Sequence, residues 1–147
     1  DMMQIEIQLD ESCTEPKVIL RAAQLTDEVK ELAQRLTVGT MWLAGFCGEQ
    51  AVLLSPSELL RITAQNGKVW AVTAQGNYLL RIRLYEAEEK LRSPDFVRIS
   101  HAEIINLKQV KSFDLSFAGT ICVTLSNGQQ TYVARRYVTR IKQTLGI

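Results

Sequence analysis

Two Asn-Gly pairs, Asn66-Gly67 and Asn127-Gly128, each stand between runs of strand-forming residues. They constrain the fold more than any other feature of the chain. Asn and Gly tolerate the positive φ that tight antiparallel turns demand, so each pair predicts a hairpin. The first joins Leu59–Ala64 to Val69–Ala74 across Gln65-Asn66-Gly67-Lys68; the second joins Ile121–Leu125 to Gln130–Ala134. Further reversals fall at Gly48-Glu49, between Met41–Cys47 and Gln50–Leu54, at Gln75-Gly76-Asn77 before Tyr78–Ile82, and at Ala118-Gly119 after Val110–Phe117. Many short strands without a βαβ rhythm predict a mostly β, antiparallel domain, α+β overall, and disfavour a Rossmann-type sheet.

Helices are few and short. Ser55-Pro56-Ser57-Glu58 has the order of a helix start: Ser as cap, Pro first, Glu three after the cap. Leu84, Ala87 and Leu91 mark one short helix, stopped by Ser93-Pro94. Val138, Ile141 and Leu145 recur at helical spacing before Gly146, which predicts a closing amphipathic helix.

The first 37 residues have a different pattern. Gln4-Ile5-Glu6-Ile7-Gln8-Leu9 alternates as a strand with one wet face, and Lys17-Val18-Ile19-Leu20-Arg21 suggests a second strand. Thr26 is placed as an N-cap for Asp27 and Glu28, with Val29, Leu32, Ala33 and Leu36 on one helical face and Gly39 just beyond. The expected organisation is a small acidic strand–strand–helix unit, 1–37, ahead of a β domain, 38–147. A unit this small needs a partner surface, on the main domain or on another copy.

Charge follows the same division. Residues 1–37 hold four Lys/Arg against eight Asp/Glu, a balance of −4; residues 38–147 hold thirteen against eight, a balance of +5. A basic region beside an acidic one suggests an anionic partner for the basic part. The three cysteines, Cys13, Cys47 and Cys122, are widely spaced with no C-x-x-C pair. This argues against a disulfide framework or a zinc site, fits a reducing cytosol, and makes Cys122 a small core residue. No apolar stretch approaches the roughly 20 residues of a membrane helix, and no signal peptide opens the chain. The expected location is therefore cytoplasmic.

Enzyme motifs are absent: no phosphate-binding loop, no dinucleotide fingerprint, no H-E-x-x-H and no nucleophile elbow. His101 is the only histidine, which excludes a histidine metal cage and would oblige any Ser-His-Asp machine to use this one residue. Ser100 and His101 adjoin, but neighbours on a strand point to opposite faces. Glu86, Glu88 and Glu89, among Lys90 and Arg92, are expected to form a solvated helix face. No cofactor and no metal is called for, and the chain is expected not to be an enzyme.

One cluster resists a purely structural account. Arg135 and Arg136 open the final helix, where cations oppose the helix dipole by roughly 0.3–1 kcal/mol each. Converging N–H groups and guanidinium donors make such a place suited to a phosphate; pairing of both arginines with carboxylates elsewhere is the competing account.

The stretch Phe96-Val97-Arg98-Ile99-Ser100-His101-Ala102-Glu103-Ile104-Ile105-Asn106 resembles the F-x-R-x-H-R-S-x-I-V-N motif of LytTR DNA-binding domains. Tyr132-Val133-Ala134-Arg135-Arg136-Tyr137 is similar to that family's closing v-S-R-R-y segment, and the likeness covers about 40–147. The resemblance implies an elongated antiparallel β fold that inserts loops into successive major grooves of DNA. It implies a bacterial transcriptional regulator that binds double-stranded DNA sequence-specifically. Its contacts would come from Lys68 with its loop neighbour Asn66, from His101 with Ser100, and from Arg136 with Arg135, because Lys and Arg suit guanine edges and phosphates. Asn106, closing the motif, is expected to tie a loop.

The sequence departs from the motif at Ser100, His101, Ala102 and Ala134. These changes bear on the preferred operator and on phosphate contacts made through hydroxyls. About forty residues precede the domain where receiver-bearing regulators carry over a hundred. The implied type is therefore the short stand-alone regulator, an output domain without a receiver, with a homodimer and a small restraining membrane protein as implied partners. The alternative reading is a protein-interaction or sensory oligomerisation module that does not touch DNA.

Overall fold

The computed structural model describes residues 3–38 and 42–147. Among these residues ten strands follow one another: β1 Leu43–Cys47, β2 Gln50–Leu54, β3 Leu59–Gln65, β4 Lys68–Thr73, β5 Gly76–Leu80, β6 Phe96–Ser100, β7 Glu103–Asn106, β8 Val110–Asp114, β9 Ile121–Leu125 and β10 Gln130–Val133. Three α-helices accompany them: α1 Asp27–Val38, α2 Leu84–Lys90 and α3 Val138–Leu145. The strands form a seven-stranded sheet, β2-β1-β5-β4-β3-β7-β6, and a three-stranded sheet, β10-β9-β8, every ladder antiparallel.

Both predicted hairpins form, by different turn chemistry. At Asn66-Gly67 both residues have positive φ, 54° and 75°, and Gln65 pairs with Lys68. That is the twist-matched two-residue turn which lets the long β3–β4 ladder start without splaying. At Asn127-Gly128 only the glycine is left-handed, φ 87°, and Leu125 N–H reaches Gln129 O at 2.8 Å in a wider loop.

The strand period places the core on both faces of the large sheet. Adjacent residues go to opposite sides. Leu59, Ala71 and Ile104 join Leu43, Leu80 and α2 residues Leu84 and Ala87 in one cluster. Their chain neighbours Leu60, Val72 and Ile105 join Ile121, Val123, Leu125 and Ile141 of the small sheet and α3 in the other. The large sheet is thus sandwiched between α2 on one side and the small sheet with α3 on the other. Cys122 is buried, as expected for a small core residue.

Several expectations are corrected. Residues 3–26 carry no strand, so the runs Gln4–Leu9 and Lys17–Arg21 are in no ladder, and both are exposed throughout. A lone two-stranded ribbon buries too little to hold itself together. The helix of this unit does form: Thr26 Oγ1 accepts the Val29 N–H at 3.3 Å, and α1 continues to Val38, one residue past the expected boundary. Gly39 and Met41 lie outside the described residues. Ser55–Glu58 makes a single 3₁₀ turn, Pro56–Glu58, rather than a helix; the Ser55 hydroxyl faces Ser57 Oγ at 3.0 Å and caps nothing. β8 stops at Asp114, short of Phe117, because the carboxylate of Asp114 accepts both the N–H and the hydroxyl of Ser116 and bends the chain out of the ladder.

Candidate nucleic-acid interface

Three loops that lie far apart in sequence meet through backbone hydrogen bonds. The β3–β4 turn holds Asn66 and Lys68; the β6–β7 turn holds Ser100 and His101; the segment after β10 holds Arg135 and Arg136. Ala64 N–H, at the foot of the first turn, donates to Ala102 O in the second at 2.7 Å. Ala134 N–H, just ahead of the arginines, donates to Ile99 O at the second turn at 2.8 Å. The β6–β7 turn is therefore the hub to which the other two are tied.

A bulge makes the hub possible. The β6–β7 register shifts between Arg98 and Ser100, leaving Ile99 as the extra residue. Bulged residues leave the ladder and re-aim their neighbours. Here Ile99 turns its side chain into the core and its carbonyl toward Ala134. Asn106, at the far end of β7, is buried and bonded twice: Nδ2 donates to Leu59 O at 2.8 Å and Oδ1 accepts the Lys108 N–H at 3.1 Å. It ties a loop, as the sequence suggested.

Two carboxylates at this end, Glu103 and Glu88, have arginine partners. Glu103 accepts from Arg61 at 3.2 Å and from the Thr131 hydroxyl at 2.8 Å, and Arg61 also reaches Gln129 Oε1 at 3.3 Å. Glu88 pairs with Arg98 at 3.2 Å, and Glu86 accepts the Arg83 N–H. The helical glutamates Glu88 and Glu89 are exposed, as expected of a solvated face, and Glu88 in addition holds Arg98. By contrast, Lys68, His101, Arg135 and Arg136 are exposed, and among the described residues none forms an ion pair. The competing account of the two arginines, pairing with carboxylates elsewhere, is not what the structure shows.

Arg135 and Arg136 occupy a 3₁₀ turn, Arg135–Tyr137, that runs into α3. The Arg136 guanidinium lies 5.3 Å from the Tyr137 ring centre. Arg135 packs so closely on Gly119 of the β8–β9 loop that a Cβ there would sit 3.1 Å from its guanidinium. The same loop brings Phe117 edge-on to Tyr132, 5.9 Å between ring centres. Cys122 faces Tyr132 across the β9–β10 ladder. Its charge, its hydrogen bond, burial and Asp114 together push the Tyr132 phenol above its ordinary value. The two hydrogen bonds from Ser116 hold the Asp114 carboxyl below the usual carboxylate range.

Two features escape a reading of sequence alone. Arg98 lies inside the motif stretch, yet its job appears only in three dimensions. Nε donates to Ser100 O at 2.8 Å, Nη2 to His101 O at 2.7 Å, and Nη1 to Glu88 Oε1 at 3.2 Å. One guanidinium thus clamps the β6–β7 turn to α2. The Ser100 hydroxyl accepts the Ala102 N–H at 3.1 Å, so it too is engaged in shaping the turn. Secondly, Arg81 and Arg83 lie beside Lys68 around a depression of about 390 Å³, and Arg81 stacks on Phe46 at 3.8 Å. The pairing of Val69 with Leu80 puts these arginines at the same end of the sheet as the hairpin tip; their spacing in the sequence carries no such signal. No cluster of three metal-ligating side chains occurs among the described residues.

Comparison with known proteins points one way. Residues 49–146 match the family described as LytTr DNA-binding domain. Curated relatives include uncharacterized HTH-type transcriptional regulators of Staphylococcus aureus. One, from strain NCTC 8325 / PS 47, is 28% identical over 148 positions, covering 99% of this chain and all of the relative. Another, from strain MRSA252, is 27% identical over the same span. Among solved structures, a LytTr DNA-binding domain from a Bacillus cereus protein described as a methyl-accepting/DNA response regulator superposes with a TM-score of 0.71. It is 18% identical and covers 74% of this chain and all of that one.

Proposed function

The chain belongs to the LytTr DNA-binding domain family, and from that premise we propose that this DNA-binding transcriptional regulator reads duplex DNA with the three tethered loops. Lys68 and Asn66, His101 and Ser100, and Arg136 and Arg135 supply the contacts. The observation that carries this reading is the pair of backbone bonds, Ala64 to Ala102 and Ala134 to Ile99, which hold three loops, two with Lys or Arg side chains in no ion pair and one with His101, at one end of the sheet. Arg136 is assigned to a base edge and Lys68 and Arg135 to phosphates; guanidinium forks suit guanine, and an ammonium suits a point charge. Ser100, whose hydroxyl is engaged within the turn, acts chiefly by shaping the loop that presents His101. Arg81 and Arg83 extend the phosphate track along the hairpin. The S. aureus relatives carry a helix-turn-helix name; this reading places the contacts on loops of a β domain instead.

The reading includes a cytoplasmic location, a homodimer and a small membrane protein as restraining partner. The described helices include none long and apolar enough to cross a membrane. No catalytic role is assigned.

The test is binding to a duplex selected from random DNA, against a scrambled duplex, over a salt series. Wild-type affinity falls steeply with salt as counterions are reacquired. Arg136→Ala loses about 1–3 kcal/mol on the selected duplex and relaxes preference at one position. Lys68→Ala weakens both duplexes alike and lowers the salt slope by about one unit. Wild-type binding by Lys68→Ala, His101→Ala and Arg136→Ala, all folded, would sink the assignment.

A further inference from the structure

Between Lys111 and Arg135 the chain carries no basic residue, and Asp114 is its only charge. The stretch holds most of β8 and all of β9 and β10, and its β8–β9 loop stands at the same end of the molecule as Arg135 and Arg136. The ladders put it there. Asp114 closes β8 opposite Cys122, and Ile121 opens β9 opposite Val133, the last residue of β10. Thr120 Oγ1 donates to Val133 O at 2.6 Å, one residue ahead of Ala134, whose N–H is tied to Ile99 O. Gly119 of the same loop, φ 72°, lies against the Arg135 guanidinium. The loop is therefore continuous with the arginine segment of the candidate interface.

What the loop displays is aromatic. Phe117 is 45% exposed and Tyr132 is 53% exposed, and their rings meet edge to face. Thr131 and Val133, on either side of Tyr132, are buried, so the strand period sends the Tyr132 ring to the outer face of the small sheet. There it props Phe117. The backbone beneath is held by Asp114, whose carboxylate accepts the Ser116 N–H at 2.9 Å and the Ser116 hydroxyl at 2.6 Å. An apolar ring kept half in water on a braced loop, beside a cationic surface, marks a contact. That contact is not with phosphate, because the loop has no cation and one carboxylate. Among the groups on the major-groove edges of the bases, the apolar one is the 5-methyl of thymine.

We propose that Phe117, propped by Tyr132, packs on the methyl group of a thymine beside the base pair that Arg136 reads. Phe117 is then a specificity residue: it discriminates among sequences and adds nothing to the affinity that comes from counterion release. This rests on the reading of Arg136 as a base contact. It adds a fourth loop to the three tethered ones, and Phe117 lies outside both motif stretches of the sequence.

The test removes the methyl group alone. Each thymine of the selected duplex is replaced in turn by deoxyuridine, and affinity is measured by fluorescence anisotropy for the wild-type chain, Phe117→Ala and Arg136→Ala. Burial of one methyl corresponds to about a fourfold change in affinity. Wild type loses that factor when the thymine next to the position relaxed by Arg136→Ala is replaced. Phe117→Ala binds the thymine and deoxyuridine forms alike, with the salt slope of wild type. A wild-type chain indifferent to replacement there, or a selected site with no thymine there, overturns the proposal without recourse to a variant. A thymine preference that survives in folded Phe117→Ala overturns it too. A Phe117→Ala chain that still discriminates nothing but has a reduced salt slope assigns the ring to the backbone and overturns the thymine contact. Failure of wild type to prefer any selected duplex, or wild-type binding by Arg136→Ala, overturns the underlying DNA reading and takes the Phe117 contact with it. That outcome is distinguished because it is seen before any thymine is replaced.

Discussion

Replacing Arg98 by Lys separates the shape of the recognition turn from its charge. The Arg98 side chain is only 15% exposed and holds the carbonyls of Ser100 and His101 at 2.8 and 2.7 Å, with Glu88 at 3.2 Å on the third nitrogen. Lysine keeps the positive charge but offers one compact ammonium instead of a planar fork, so it can hold one carbonyl at a time. A hydrogen bond from a charged donor contributes about 1.5–3 kcal/mol. His101 is exposed, so water replaces part of that loss, and the net cost to the fold is about 1–2 kcal/mol. The freed turn must be reordered on DNA at a similar cost, which is about a 5- to 30-fold loss on the selected duplex. Affinity for a scrambled duplex stays within about twofold, since the number of cations is unchanged. Glu88→Gln is the control: Glu88 is 46% exposed, so losing its charge costs about 0.2–1 kcal/mol and leaves DNA affinity nearly untouched. Fluorescence anisotropy on both duplexes at one salt concentration, with urea unfolding of each variant, measures all of these. Wild-type affinity of folded Arg98→Lys for the selected duplex, or equal losses on both duplexes, would refute the clamp.

Asn106→Ala removes both bonds of a side chain that is 2% exposed and strands the buried Leu59 carbonyl; urea unfolding should show a loss of about 2–4 kcal/mol. Gly45→Ala puts a Cβ 2.7 Å from both Leu54 Cδ1 and Tyr78 Cβ, so overpacking of β1 should cost about 1–3 kcal/mol by the same measurement, and a neutral result would mean that β1 and β5 are less closely seated. The depressed Asp114 carboxyl stabilises the β8–β9 loop above the ordinary carboxylate value, and this contribution disappears as pH falls through the lower folded value. The Ser116 amide resonance should therefore titrate below the range of an unengaged aspartate, and a midpoint at the ordinary value contradicts the turn.

Local chemistry made much of this architecture legible. Asn66-Gly67 and Asn127-Gly128 announce hairpins because few other pairs accept the required φ. Leu84, Ala87 and Leu91 announce α2 through their spacing, and Gly146, φ 75°, ends α3 where its lack of a Cβ permits. Lys68, His101 and Arg136 were named by resemblance, and the structure leaves their side chains unpaired at the tethered loops. Strand pattern failed at Gln4–Leu9, where the alternation is real but no neighbouring strand pairs with it. Ser55–Glu58 failed as a helix because its turn closes once and the chain then enters β3.

Determined by the sequence alone are the turns, the strand period and the surplus of basic residues in the last third, since each depends on residues within a few positions of one another. The tertiary structure decided how charge is distributed among partners. Arg61 and Arg98 are as basic as Lys68 and Arg136, yet Glu103 and Glu88 occupy the first two, across separations of 42 and 10 residues. It also decided that the Ile99 carbonyl faces Ala134, 35 positions on, so that three loops share one end of the sheet. A hydrogen bond or ion pair forms only between groups within a few ångströms, and sequence separation says nothing about that distance until the strands have paired.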